Sequence, residues 1–341
     1  MFKTLSILAA ALALGIVLLG AYVRLNDAGL GCPDWPGCYG HVGVPEAAAD
    51  KASAEVAFPG KPVEPRKAWL EMVHRYFATS LGFLILLLSA LAWRQRAPGR
   101  IPGLPSALVA VVIFQGMLGM WTVTLLLKPV IVSLHLLGGL TTFALLSVMA
   151  LRQTDIVHGP AVSPGVRRFA LLGLVLLAMQ VALGAWTSTN YAALACPDFP
   201  LCHGTLTPDT DYGNAFHLLR ELGHTADGGL LSNAALTAIH FTHRIGAALV
   251  GTTLLLLGLT LLRAPGLRIF GVLLLLALTA QLAIGISIVV WQLPLPLAVM
   301  HNGGAALLLL ALVATNTATL CRPVAPAGAR PLSRPVYQAP A

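Results

Sequence analysis

Eight apolar runs dominate the chain, near residues 5–23, 69–93, 104–126, 130–151, 167–188, 236–262, 267–290 and 295–319. Each is long enough to cross about 30 Å of hydrocarbon as a helix rising 1.5 Å per residue. Hydrocarbon offers backbone N–H and C=O groups no partner, so segments of this kind satisfy their hydrogen bonds internally as helices. The expected fold is therefore all-α, a polytopic membrane protein of eight transmembrane helices. Composition agrees: 57% of the residues are hydrophobic and 10% charged, more apolar surface than a soluble chain of this length can cover. A formal charge of +8 would point a soluble chain towards nucleic acid. In a membrane protein its distribution over the loops matters more than its sum, so the expected contact is membrane lipid and no nucleic acid.

Met1-Phe2-Lys3 and the apolar run to Val23 read as a retained first span rather than a cleaved leader, because seven more spans follow. No Arg/Ser-rich transit segment precedes it, which favours a bacterial cytoplasmic (inner) membrane. One set of connections, from Lys3 through Arg94, Arg152 and Arg263 to Arg334, carries twelve Lys and Arg residues; the other, with far larger loops, carries seven. The positive-inside rule then puts both termini in the cytoplasm.

The two long loops, 25–68 and 189–235, contain nearly the same heptapeptide: Cys32-Pro-Asp-Trp-Pro-Gly-Cys38 and Cys196-Pro-Asp-Phe-Pro-Leu-Cys202, offset by 164 residues. Membrane proteins are often built from two related halves. Both cysteine pairs follow an odd-numbered span, so the repeat is parallel, giving two pseudo-symmetric four-helix bundles. Residues 1–160 form the N-terminal half and 161–321 the C-terminal half, dividing near His158-Gly159-Pro160, with a Pro/Ala-rich tail at 322–341 expected to be disordered.

Four histidines lie inside apolar spans: His74 and His135 in the first half, His243 and His301 in the second. Ionisable groups in a membrane are expensive and mark function by default. Counted from the start of its span, each is about seven residues in, roughly 10 Å below the outer boundary. Within each half they come from the second and fourth helices, which enter from the same side. A flat macrocycle with its iron between two imidazoles fits that arrangement, so the histidines read as axial ligands of two haems. The simpler alternative, that they only bond across helices, fits one histidine better than four at matched depth. Zinc is disfavoured because no carboxylate or cysteine accompanies each pair at ligand spacing.

Arg75 and Arg244 directly follow His74 and His243, and read either as propionate partners or as side chains snorkelling to headgroups. Gln115, Gln180 and Gln281 read as helix-packing features, while His41, His158, His203, His217 and His224 read as ordinary loop histidines. The halves differ at one informative place: aligning His74 with His243 sets Glu71 opposite His240. Glu71 lies one turn from His74 on the same helix face, where a carboxylate can move protons or stabilise positive charge at a porphyrin edge. Its alternative reading is a first-turn glutamate favoured by the helix dipole. His240 is an alternative ligand, but His243 keeps the His-Arg register. The cysteine pairs face an oxidising compartment where disulfides persist; they read as staples over the site or as a thiol exchange couple. Cys321 reads as a free thiol.

Taken together, Glu71-Met72-Val73-His74-Arg75, Ser133-Leu134-His135-Leu136-Leu137-Gly138-Gly139, Thr242-His243-Arg244, Met300-His301-Asn302-Gly303-Gly304 and the first cysteine loop resemble the haem A synthase family. The resemblance covers essentially the whole chain up to the tail. It implies haem O as substrate in the N-terminal half, haem b as cofactor in the C-terminal half, and oxidation of the haem O C8 methyl to a formyl group by successive hydroxylations. By position it implies His74 and His135 as substrate haem ligands, His243 and His301 as haem b ligands, and Glu71 as the catalytic carboxylate. Cys32 and Cys38 match the family's outer pair, and Cys196 with Cys202 is the expected second disulfide. The haem O synthase (protohaem farnesyltransferase) and an electron acceptor are the implied partners, with a homo-oligomer left open. The competing reading is a two-haem b-type cytochrome carrying electrons from quinol to an outer acceptor.

Overall fold

The computed structural model describes residues 1–98, 102–157 and 162–320. In chain order its α-helices are α1 (Phe2–Leu25), α2 (Ala48–Ala57), α3 (Pro65–Arg94), α4 (Gly103–Thr124), α5 (Pro129–Leu151), α6 (Pro164–Thr189), α7 (Tyr212–Ala215), α8 (Asn233–Arg263), α9 (Arg268–Val290) and α10 (Leu295–Leu320). Eight of these, all except α2 and α7, are long and apolar enough to span a membrane. They coincide with the eight expected runs to within a few residues. Proline opens α3, α5 and α6, at positions where its missing N–H removes no helical bond. Ser163 and Ser232 cap α6 and α8, accepting the N–H of Val166 at 3.4 Å and of Ala235 at 3.1 Å. The expected division near His158-Gly159-Pro160, Cys321 and the tail lie outside the described residues.

In the first half α1 and α4 each pack against both α3 and α5; in the second, α6 and α9 each pack against both α8 and α10. The halves meet through α1 with α10, α5 with α6, and α5 with α10. Exchanging α1 with α6, α3 with α8, α4 with α9 and α5 with α10 maps this set of neighbours onto itself, as a parallel two-fold repeat requires. Equivalent positions of the two halves meet each other: Arg24 donates to the Ser188 carbonyl at 3.0 Å, and the Tyr191 hydroxyl to Asp27 at 3.0 Å. Both pairs are 164 residues apart.

The apolar core is not spread evenly along the helices. One cluster joins Leu81, Ile85 and Leu88 of α3 to Phe143, Leu146, Leu254, Leu257 and Leu312. These residues all follow the span histidines, so close packing fills the end of the bundle that holds the termini. The other end, beneath the long loops, is left less filled.

Each loop is folded down onto that end by the same device. Cys32–Cys38 and Cys196–Cys202 are joined as disulfides. Inside each ring an aspartate accepts two backbone N–H bonds: Asp34 from Tyr39 at 2.6 Å and Gly40 at 2.8 Å, Asp198 from His203 at 2.7 Å and Gly204 at 2.8 Å. The Gly204 N–H, helped by that of His203, holds the Asp198 carboxyl below its ordinary range. A lowered folded-state pKa stabilises fully above the unfolded value, about 3.9, and the contribution fades as pH falls through the folded value. Protection of the His203 and Gly204 amides from hydrogen exchange, corrected for intrinsic rates, should therefore stay flat from pH 7 to about 5 and fall only below about 4. Asp198→Asn should make it pH-independent across that range.

Candidate functional site

His74 on α3 and His135 on α5 face each other beneath the first loop, their ring centroids 6.5 Å apart. Two imidazole nitrogens each about 2 Å from one metal centre put the ring centroids roughly 6 Å apart, so this pair is spaced to hold an iron between them. Glycine on the neighbouring helix makes room for each ring: a Cβ at Gly20 would lie 3.0 Å from His74 Cε1, and one at Gly119 3.3 Å from His135 Cε1. Around the pair runs a cavity of about 490 Å³, within the roughly 300–1,000 Å³ typical of small-molecule sites. Its wall is mainly apolar and glycine-rich, with Glu71, Arg75 and Gln115 among its polar members. Buried polar atoms normally find partners, yet the Nδ1 atoms of His74, His135 and His301 have none among the described residues. A glycine cradle, a cavity and buried imidazoles with unused ring nitrogen together fit a bound haem.

The second half repeats the cradle. A Cβ at Gly184 on α6 would lie 3.1 Å from His243 Cε1, and one at Gly285 on α9 3.0 Å from His301 Cε1. α10 serves both halves, because Asn302, next to His301, lines the first-half cavity together with Ala185, Ser188 and Thr189 of α6.

At the mouth of each site the loop is tied to the helix that carries the first histidine. Gly31 runs so close to α3 that a Cβ there would come within 2.6 Å of the Lys67 backbone, which brings the Cys32 N–H to Glu71. Glu71 is 5% exposed; its Oε2 accepts that N–H at 2.9 Å and its Oε1 pairs with Arg75. Arg75 also donates to the carbonyls of Asp34 at 3.0 Å, Pro36 at 3.2 Å and Gly37. In the second half His240, also 5% exposed, takes the place of Glu71: its Nδ1 accepts the Cys196 N–H at 3.2 Å and its Nε2 faces Arg244 Nε at 3.3 Å. Arg244 donates to the carbonyls of Cys196, Asp198 and Leu201, each at 2.8 Å. Both ring nitrogens of His240 are thus engaged at the loop, and His243 is the residue set in the glycine cradle. The arginines, expected as propionate partners or snorkelling side chains, donate to loop carbonyls, and Arg75 also lines the cavity.

The glutamines do more than the packing expected of them. Gln115 Nε2 donates to the His135 carbonyl at 2.6 Å, Gln180 Nε2 to the His243 carbonyl at 2.9 Å, and Gln281 Nε2 to the His301 carbonyl at 3.1 Å. Gln180 also lies 3.0 Å from His243 Nδ1, and Gln281 3.4 Å from His301 Nε2. Each amide lies over the glycine three residues after its histidine, Gly138, Gly246 or Gly304, where any Cβ would overlap it. The signal was in the sequence as two spacings on different helices, Gln-x-x-x-Gly and His-x-x-Gly, which only the fold brings together.

Eight helices long and apolar enough to span a membrane, enclosing two glycine-cradled histidine pairs, define a multi-pass membrane protein. Residues 3–313 match the family described as cytochrome oxidase assembly protein, and the chain belongs to that family. Among its relatives, a heme A synthase of Shewanella oneidensis is 45% identical over 303 residues, covering 88% of this chain and 91% of its own. One from Alkalihalophilus pseudofirmus is 28% identical over 316 residues, with 88% and 92% covered, and one from Granulibacter bethesdensis is 32% identical over 259, with 72% and 65%.

Proposed function

We propose that the chain converts haem O to haem A, oxidising the C8 methyl to a formyl group by two successive hydroxylations. The observation that carries this reading is the difference between two otherwise matched sites: a buried carboxylate, Glu71, beside the His74–His135 cavity, and an imidazole, His240, at the same place in the other half. His74 and His135 hold the substrate haem, and His243 and His301 hold haem b, which when bound supplies one-electron redox chemistry. Glu71 is positioned to take or return protons at the reacting edge, with Arg75 balancing its charge. The loop, tied down through Cys32 and Arg75, lies over the cavity mouth. Asn302 and His301, adjacent on α10, give the two sites a short common wall. The site lies near the outer face of the bacterial inner membrane with both termini cytoplasmic, and an electron acceptor and the haem O synthase are the partners this chemistry calls for.

The test is to express the protein with a source of haem O and analyse the extracted haems. Haem A, or a hydroxymethyl precursor, is expected; membranes containing the folded protein and only unchanged haem O would contradict the reading, and permanently bound b haems alone would favour an electron carrier. The glycine cradle gives a separate expectation. Gly184→Leu drives a side chain into the His243 ring and should lower haem b occupancy about tenfold, a loss comparable with disturbing the groups that support a metal ligand. The α band of the reduced protein reports it.

A further inference from the structure

Among the described residues, three of the four span histidines have their backbone carbonyl bonded by a glutamine on the adjacent helix, and His74 does not. In the three clamped cases the glutamine sits four residues before the cradle glycine (Gln115 and Gly119, Gln180 and Gly184, Gln281 and Gly285), and a glycine follows the histidine by three. For His74 the cradle glycine is Gly20, and the position four before it is Ile16; three after His74 comes Phe77, 48% exposed. Helix α1 has no amide side chain along its length. His74 Nδ1 is buried without a partner among the described residues, as are those of His135 and His301; what sets His74 apart is that the helix beside it has no glutamine to bond its backbone carbonyl.

We propose that His74 is the releasable ligand of the first-half pocket and that His135, fixed by Gln115, is its permanent anchor. This deepens the functional reading above and rests on it. A bond that fixes the backbone of a metal ligand restricts where its ring can sit, as supporting groups around a ligand do generally, so His74, whose carbonyl has no such bond, is the more mobile ligand of the pair. The distribution follows what each site must do. A cofactor stays, and both His243 and His301 are clamped; a substrate must be admitted and its product released, and one of its two ligands is left free. The surroundings of α3 agree. A groove of about 720 Å³ lies between the first loop and the outward face of α3, and it shares Trp35, Arg75, Thr79 and Phe83 with the wall of the histidine cavity. The side of the pocket that carries His74 is thus the side that borders this groove. Gln115, Gln180 and Gln281 are positioning residues in this scheme, acting through the histidines they hold.

The experiment uses full-length purified protein loaded with haem. His74→Ala should retain the first-pocket haem with a high-spin spectrum, whereas His135→Ala should lose it. Carbon monoxide, binding the reduced protein where a histidine lets go, reports release directly. Building the missing clamp with Ile16→Gln and Phe77→Gly should slow that binding about tenfold, and Gln115→Leu should speed loss of the first-pocket haem by about as much. Equal haem loss in the two histidine variants, or unchanged carbon monoxide kinetics in a fully loaded Ile16→Gln/Phe77→Gly protein, would overturn the proposal while leaving the functional reading intact. Absence of haem from the first pocket of the unaltered protein would overturn both. Should the double variant fail to fold, the two histidine variants still decide.

Discussion

Glu71→Gln should lower conversion of haem O by roughly a hundredfold or more, the scale of a lost acid–base group, while leaving the protein folded and haem-loaded. The substitution separates the two tasks of this side chain. A glutamine oxygen still accepts the Cys32 N–H, as the His240 imidazole accepts that of Cys196 in the second half. Arg75 keeps its three loop carbonyls, so the loop stays closed over the cavity. What disappears is the negative charge and the ability to take up a proton. Glu71→Ala would confound this, since it also strands the Cys32 N–H in a buried place, which costs about 1–3 kcal/mol. Haem analysis of membranes containing equal amounts of each protein provides the measurement; undiminished haem A from Glu71→Gln would leave the carboxylate with loop anchoring alone.

The second large effect concerns the histidines. His243→Ala should reduce haem b to below about a tenth and leave the first pocket able to bind haem O, whereas His135→Ala should do the reverse; losing a direct ligand costs at least as much as the 10–100-fold typical of losing a group that supports one. The expectation of independence comes from the packing. Each pair is cradled by glycines of its own half, Gly20 and Gly119 in one and Gly184 and Gly285 in the other. If either substitution emptied both sites equally, the two pockets would not be separate units.

Much of this was legible in the sequence because it is written along single segments. The spans follow from uninterrupted apolar length, and the repeat from two matching cysteine heptapeptides. The four histidines stand out because an imidazole in hydrocarbon is costly. What was hidden lies between segments. Gln115 and His135 are on different helices, and only packing reveals that the amide reaches the carbonyl. That Arg75 and Arg244 bond loop carbonyls is hidden for the same reason, because nothing in their own helices shows the loop folding back over them. His240 reads as a competing ligand until the Cys196 N–H and Arg244 occupy its ring. The helices α2 and α7 escape for another reason, since long apolar runs are what stand out along a single segment: α2, Ala48–Ala57, favours helix through its alanines but is only 10 residues long and interrupted by Asp50, Lys51 and Glu55, and α7 has 4 residues.

The most direct single measurement is the visible spectrum of the purified protein together with the masses of its extracted porphyrins. A Soret band of low-spin, histidine-ligated haem is expected, with protohaem from one pocket and a farnesylated porphyrin from the other. A purified, folded protein with no Soret absorbance would contradict it.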